Sequence, residues 1–258
     1  MTAISEQDRR VPAWGGFNLT FVGLEIRRIL RNRRTMIFVL VMPTVLFLVI
    51  GLSQKNESLD GVDALPYFMI SMAVYGAMVA TTATGAAVAV ERALGWSRQL
   101  RLTPLVPSAY MATKVISALS LGLLAVLVVY VAGFASGVRM SVSTWVISGL
   151  VAWLGSLVFA AFGLFMGFLL PSENVMQFVG PLLALLALFG GIFVPIEIYS
   201  DVLQDIAKLT PVWGIGALAR APLTGDGASI GALANALVWL AIFGVGAAQL
   251  FRRDTKRV

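Results

Sequence analysis

The sequence predicts an all-α integral membrane protein with six transmembrane helices. Three observations carry that expectation: 59% of the 258 residues are hydrophobic, only 12% are charged, and the mean hydropathy is +0.88. A soluble domain carries about 25% charged residues, so a soluble enzyme and a disordered chain are both excluded. There is no cysteine and no histidine. That removes disulfides, thiolate metal sites, cysteine nucleophiles, and the commonest general base and metal ligand. No catalytic residue and no metal site is expected.

Crossing the hydrocarbon takes about 20 apolar residues in a helix. The stretches 35–52, 65–90, 109–136, 144–170, 175–195 and 230–251 qualify. The pieces between them are too short for a second folded unit, since domains start at about 50 residues. The chain therefore reads as one membrane domain over 1–258. Orientation follows from the basic residues. Arg9, Arg10, Arg27, Arg28, Arg31, Arg33, Arg34, Arg92, Arg98, Arg101, Lys114, Arg252, Arg253, Lys256 and Arg257 fall on one side of a six-span topology. Only Lys55, Arg139, Lys208 and Arg220 fall on the other. This asymmetry puts both termini in the cytoplasm of a multi-pass plasma-membrane protein. It also explains the net charge of +6 without invoking nucleic acid.

Within the spans the sole ionisable side chain is Lys114, near enough to the cytoplasmic end to snorkel outward. Ion-coupled carriers need carboxylates or histidines near the midplane, and no such group and no buried charged pair is legible. The phosphate-binding pattern G-x-x-x-x-G-K-[ST] is absent as well. Two classes stay open: a permease driven by a separate motor, and a membrane anchor or assembly protein that transports nothing. A membrane enzyme is a weaker third.

Residues 17–34 predict an amphipathic helix on the inner membrane surface. Leu19, Val22, Ile26, Ile29 and Leu30 share an arc of about 100°, with Arg27, Arg28, Arg31 and Arg34 off it. It is either a basic topogenic flank or a connecting helix that clamps a cytoplasmic partner. After the second span, Glu91 to Pro104 reads as about three turns of polar helix interrupted by Leu94, Trp96, Leu100 and Leu102 and stopped by Pro104 and Pro107. Exposed apolar residues on a short cytoplasmic helix either dock a partner or pack back on the membrane.

The run Glu91-Arg92-x-x-Gly95, then Leu100, Thr103-Pro104, Ser108 and Lys114, resembles the coupling-helix region of type-2 ATP-binding-cassette exporter permeases. The daunorubicin-resistance and nodulation-type members are the branch it is most similar to. Gly190-Gly191-Ile192-Phe193-Val194-Pro195, followed by Pro211 and Ala219-Arg220, resembles that family's fifth span and re-entrant external hairpin. Pro43 and Gly51 in the first span fit too, whereas Tyr199-Ser200-Asp201 stands where the family often has a second proline. The resemblance implies a permease domain without a nucleotide-binding domain. Two such membrane subunits, identical or homologous, would bind two copies of a separate ATPase subunit. ATP and magnesium would sit on that partner, with no cofactor on this chain. Coupling to the ATPase would fall to Glu91, Arg92, Gly95, Leu100, Arg101 and Pro104 in the loop helix and to Arg27 and Arg28 in the amphipathic helix.

Small residues at every fourth position of the second span (Ala73, Ala77, Thr81, Gly85, Ala89), with Gly163 and Gly167 in the fourth, predict close helix packing. Phe47, Met69, Met72, Phe189 and Phe193 are candidates for lining a cargo route, since aromatic and methionine side chains suit an amphiphile. Outside, Ser200 is a candidate cap for a short helix whose Val202, Ile206 and Leu209 share a face. A second helix near 213–221 should end at Pro222. Both are too short to cross the bilayer and are expected to dip in as a lid, with Glu197, Asp201 and Asp205 at its rim as a solvated face. The expected function is export of a hydrophobic or amphiphilic compound, such as a drug, secondary metabolite or lipid, in the manner of a multidrug-efflux or antibiotic-resistance system. A polysaccharide or lipid-linked glycan is the alternative cargo.

Overall fold

The computed structural model describes residues 13–59, 61–95, 105–225 and 227–256, and it is mostly helical. Helix α1 (Leu19–Arg31) is opened by Asn18, whose side chain accepts from the Thr20 amide at 2.7 Å. Asn32 closes it and at once opens α2 (Arg33–Leu46). A side-chain oxygen at each of these positions satisfies a donor that a helix start leaves orphaned. Pro43 lies inside α2, which loosens beyond it into a π-helical turn, Phe47–Gly51. A proline removes one backbone donor from the ladder. A two-residue hairpin, β1 (Ser58–Leu59) with β2 (Val62–Asp63), leads into α3 (Ala64–Ala86) and α4 (Val88–Ala93).

The remaining elements are α5 (Pro107–Ala135), α6 (Val142–Gly155), α7 (Leu157–Leu169), α8 (Ser172–Phe189), α9 (Asp201–Leu209), α10 (Pro211–Thr224) and α11 (Ile230–Lys256). Six segments are long and apolar enough to cross a membrane: Arg33–Gly51, Ala64–Ala93, Ser108–Ala135, Val142–Leu169, Ser172–Phe189 and Ile230–Asp254. They coincide with the expected spans, with one difference of substance. The fifth stops at Phe189 instead of running to 195, because Gly190 closes the helix and Gly191 adopts φ +77°. Phe193 therefore lies in the turn beyond the span.

Helix α3 is the axis of the bundle, and every residue in it except Ala83 is buried. It packs chiefly on α5 and α7. The small residues make this possible. A Cβ on Gly163 would lie 2.4 Å from the Thr82 carbonyl oxygen, and one on Gly85 would lie 2.7 Å from the Leu164 amide nitrogen. The backbones of α3 and α7 touch there, as small residues allow when no hydrophobic drive separates helix from lipid. Apolar side chains left exposed, among them Ile37, Phe38 and Val41 on α2 and Leu237, Val238 and Val245 on α11, form the outward belt.

One end of the bundle gathers α1, α4, the start of α5 and the ends of α7 and α11, and is called the basic end here for its arginines and lysines. At the opposite end, α9 carries the expected amphipathic face, with Val202, Ile206 and Leu209 exposed, although Ser200 makes no side-chain cap. Its last carbonyls accept from α11: Asn235 Nδ2 reaches Lys208 O at 2.9 Å and Trp239 Nε1 reaches Leu209 O at 2.8 Å. Helix α10 is wedged between α3, α6 and α11. It does not end at Pro222 as expected but continues to Thr224 and is stopped by Gly225 at φ +79°. A proline this near a helix end costs a single late hydrogen bond, whereas a left-handed glycine reverses the chain.

Candidate coupling site at the basic end

Glu25 on α1, Glu91 on α4, and Tyr110 and Lys114 on α5 converge on one buried cluster. Lys114 is 2% exposed, and its Nζ lies 2.5 Å from carboxylate oxygens of both Glu25 and Glu91. Tyr110 donates its hydroxyl to Glu91 Oε2 at 2.6 Å. Arg28 reaches in from α1, donating to Glu25 at 2.7 Å and to Glu91 as well. Two carboxylates thus share two cations, and the cluster carries no net charge. Lys114 Nζ also sits 5.3 Å from the Tyr110 ring centroid.

The electrostatics follow from this sharing. Burial pulls the Arg28 guanidinium's pKa down, but its hydrogen bond to Glu91 and the two nearby carboxylates outweigh that and raise it above the ordinary arginine value. The guanidinium stays charged, and its contact with Glu91 ties α1 to α4. Removing one partner from such a buried set leaves an uncompensated charge.

The cluster corrects two expectations. Lys114 does not snorkel outward; it turns inward because two carboxylates wait there. Buried charged pairs, which the sequence did not disclose, do exist. Glu25 was missed altogether. A signal was present: Val22, Glu25 and Ile29 are spaced to share one face of α1, so this lone carboxylate sits on the apolar arc.

Arg92 also faces inward. Its guanidinium forks onto Asp254 of α11 (Nη2 to Oδ1 2.8 Å, Nε to Oδ2 3.1 Å) and donates to the carbonyls of Gly167 and Phe168 at the end of α7. Arg92 therefore ties α4 to two spans. Gly95 ends α4 at φ +73° with open space around it. Leu94 is strongly exposed, and Arg27 is exposed on α1. Leu100, Arg101 and Pro104 lie outside the described residues. The structure thus brings Glu91 and Arg28 together, and leaves Arg27 and Gly95 at the surface.

The candidate route residues are dispersed. Phe47, Met69 and Met72 are completely buried in the bundle core, Phe193 packs edge-on to Tyr75 with centroids 4.9 Å apart, and Phe189 is partly exposed. None lines either of two clefts that sequence reasoning did not find. One, of about 640 Å³, adjoins the charge cluster and is lined by Arg28, Arg31, Asn32 and Thr35 on one side and Ala83, Ala87, Val90 and Leu94 on the other. The second, of about 630 Å³, is an apolar groove between α6, α10 and α11, lined by Leu150, Leu154, Ile215, Leu218 and Leu237 among others. Glu197, Asp201 and Asp205 form no metal-binding group among the described residues.

The sequence profile of the family described as ABC-2 type transporter matches residues 19–221, from the first residue of α1 into α10. The chain is also 28% identical over 194 residues to a Bacillus subtilis (strain 168) protein named "Putative transport permease YvfS", covering 74% of this chain and 79% of that one. A six-span, multi-pass membrane bundle matched by this profile over most of its length leaves one assignment: the chain belongs to the ABC-2 type transporter family.

Proposed function

We propose that this chain is the membrane subunit of an ATP-driven exporter for a hydrophobic or amphiphilic compound, in the daunorubicin-resistance and nodulation-type branch. Membership in a transporter permease family supports the transport role and, with it, a separate motor subunit. Two ATPase subunits would bind the basic end, which would face the cytoplasm, and a second membrane subunit would complete the route. The single observation that carries the mechanism is the Glu25–Lys114–Glu91–Arg28 cluster. Through it, a push on α1 or on the loop beyond α4 would reach α3 and α5, because each of the four members is held by two others. The cleft beside the cluster offers a basic rim and an apolar floor, the chemistry an amphiphile from the inner leaflet presents. Phe47, Met69 and Met72 would meet cargo only when the spans separate.

The test is reconstitution with the ATPase partner in vesicles. Glu91→Gln should leave ATP hydrolysis within about twofold and reduce cargo efflux by about tenfold, the loss that one weakened charge-assisted contact produces. Arg27→Glu should weaken ATPase co-purification and leave the cluster intact. Wild-type efflux from Glu91→Gln would refute the lever, and a co-purified glycan-lipid as sole cargo would refute the cargo class.

A further inference from the structure

Arg220 was counted from sequence among the few basic residues of the outer loops, yet it is 6% exposed and points into the bundle from α10. Its guanidinium lies over the Tyr67 ring, 4.7 Å from the centroid, and Nη1 donates to Ser71 Oγ at 3.1 Å. Ser71 is seven residues into α3, so the charge sits about 10 Å below the start of that helix. No ion pair to a carboxylate accompanies it among the described residues. The place is built for it: a Cβ on Gly216 would lie 3.2 Å from Nη1 and 3.4 Å from Nη2. The missing side chain one turn back on α10 is what leaves room for the guanidinium.

An ionisable group at this depth is unfavourable unless something holds it. Here the holders are neutral, an aromatic face and a hydroxyl, both on α3. Lys114 at the other end shares two carboxylates and is locked. Arg220 has a favourable resting place but no counter-charge among the described residues, so moving α10 outward returns its charge to water or to headgroups without breaking any ion pair seen there. We propose that Arg220, Tyr67 and Ser71 form a releasable latch that holds α10 down against α3 and closes the end of the bundle opposite the charge cluster. The latch sits between α10 and α3, and α3 leads through the turn at Ala87 into α4 and Glu91, so one span joins both ends. The latch can be tested with neither cargo nor ATPase present.

The chain has no cysteine, so a single reporter can be introduced without background. Val212→Cys is near-isosteric at a position on α10 with no exposure. In phosphatidylcholine nanodiscs, where both faces are accessible, its reaction with a membrane-impermeant maleimide reads the lifting of α10. Adding Tyr67→Leu removes the aromatic face and should speed labelling about tenfold. Arg220→Met alone should label no faster than the reference, since an apolar side chain is at home there, and Tyr67→Leu with Arg220→Met should return to the reference rate. Unchanged labelling in Tyr67→Leu overturns the proposal. So does fast labelling that persists in the double variant, because that marks lost packing instead of a freed charge. If Tyr67→Leu elutes as aggregate, Ser71→Ala replaces it under the same criteria, with a smaller acceleration that Arg220→Met must reverse.

Discussion

Replacing Lys114 with methionine tests the charge cluster most directly. The side chain keeps its length, but Glu25 and Glu91, each 7% exposed at the side chain, lose the cation they share at 2.5 Å. Removing one partner of a buried ion pair costs about 3–5 kcal/mol. The low end applies here, for two reasons. Glu91 keeps Tyr110 and Arg28, and Arg28, with half its side chain exposed, can follow the carboxylates. A loss of about 3 kcal/mol is about a hundredfold in the unfolding equilibrium. SDS-driven unfolding in mixed micelles, followed by the fluorescence of the six tryptophans, would measure it. The triple variant Glu25→Gln, Lys114→Met, Glu91→Gln should recover to within about 1 kcal/mol of the parent, because the one charge left, on Arg28, belongs to a half-exposed side chain that can turn to water. A Lys114→Met protein as stable as the parent, or a triple variant as unstable as the single one, would refute the reasoning.

Three further outcomes are expected. Arg92→Ala loses its fork on Asp254 and two carbonyl contacts, and should destabilise by about 1.5–3 kcal/mol in the same unfolding assay. Asp254→Asn keeps the carbonyl contacts and should cost less. Gly163→Ala drives a Cβ to within 2.4 Å of the Thr82 carbonyl and should cost about 3 kcal/mol or abolish the monodisperse peak in gel filtration. Gly180→Ala, with nothing within 4 Å, should be neutral or slightly stabilising. Gly95→Ala should lower stability by about 1 kcal/mol from backbone strain alone at φ +73°, and Gly95→Asn should cost less because asparagine tolerates that region.

The spans were legible because each is an unbroken apolar run, and close packing of α3 and of α7 was legible because small residues recur at helical spacing in each, although that they pack on one another was not. Neither signal depends on a distant partner. The charge cluster does. Glu25 and Lys114 stand 89 residues apart, and hydropathy places a lone lysine at a span end in the headgroups unless a buried carboxylate is known to wait for it. Arg220 escaped for a similar reason. Charge counting assigns a residue to a side of the membrane but cannot tell that a helix between two spans is pressed into the bundle. Pro222 failed as a stop signal because local chemistry near a helix end is weak beside the packing of α10 on its neighbours. Of the expected coupling residues, Glu91 and Arg28 were assigned to two separate helices, and their direct contact beside Lys114 is a tertiary fact.

The spacing of the cluster also bears on how the protein is made. At about 5–20 residues per second on the ribosome, Glu25 is synthesised roughly 4–18 s before Lys114, given the 89 positions between them. Through that interval α1 has no permanent seat, and its acidic group must stay hydrated while two hydrophobic segments are threaded into the lipid. The nascent chain settles its first helix only when its third span arrives.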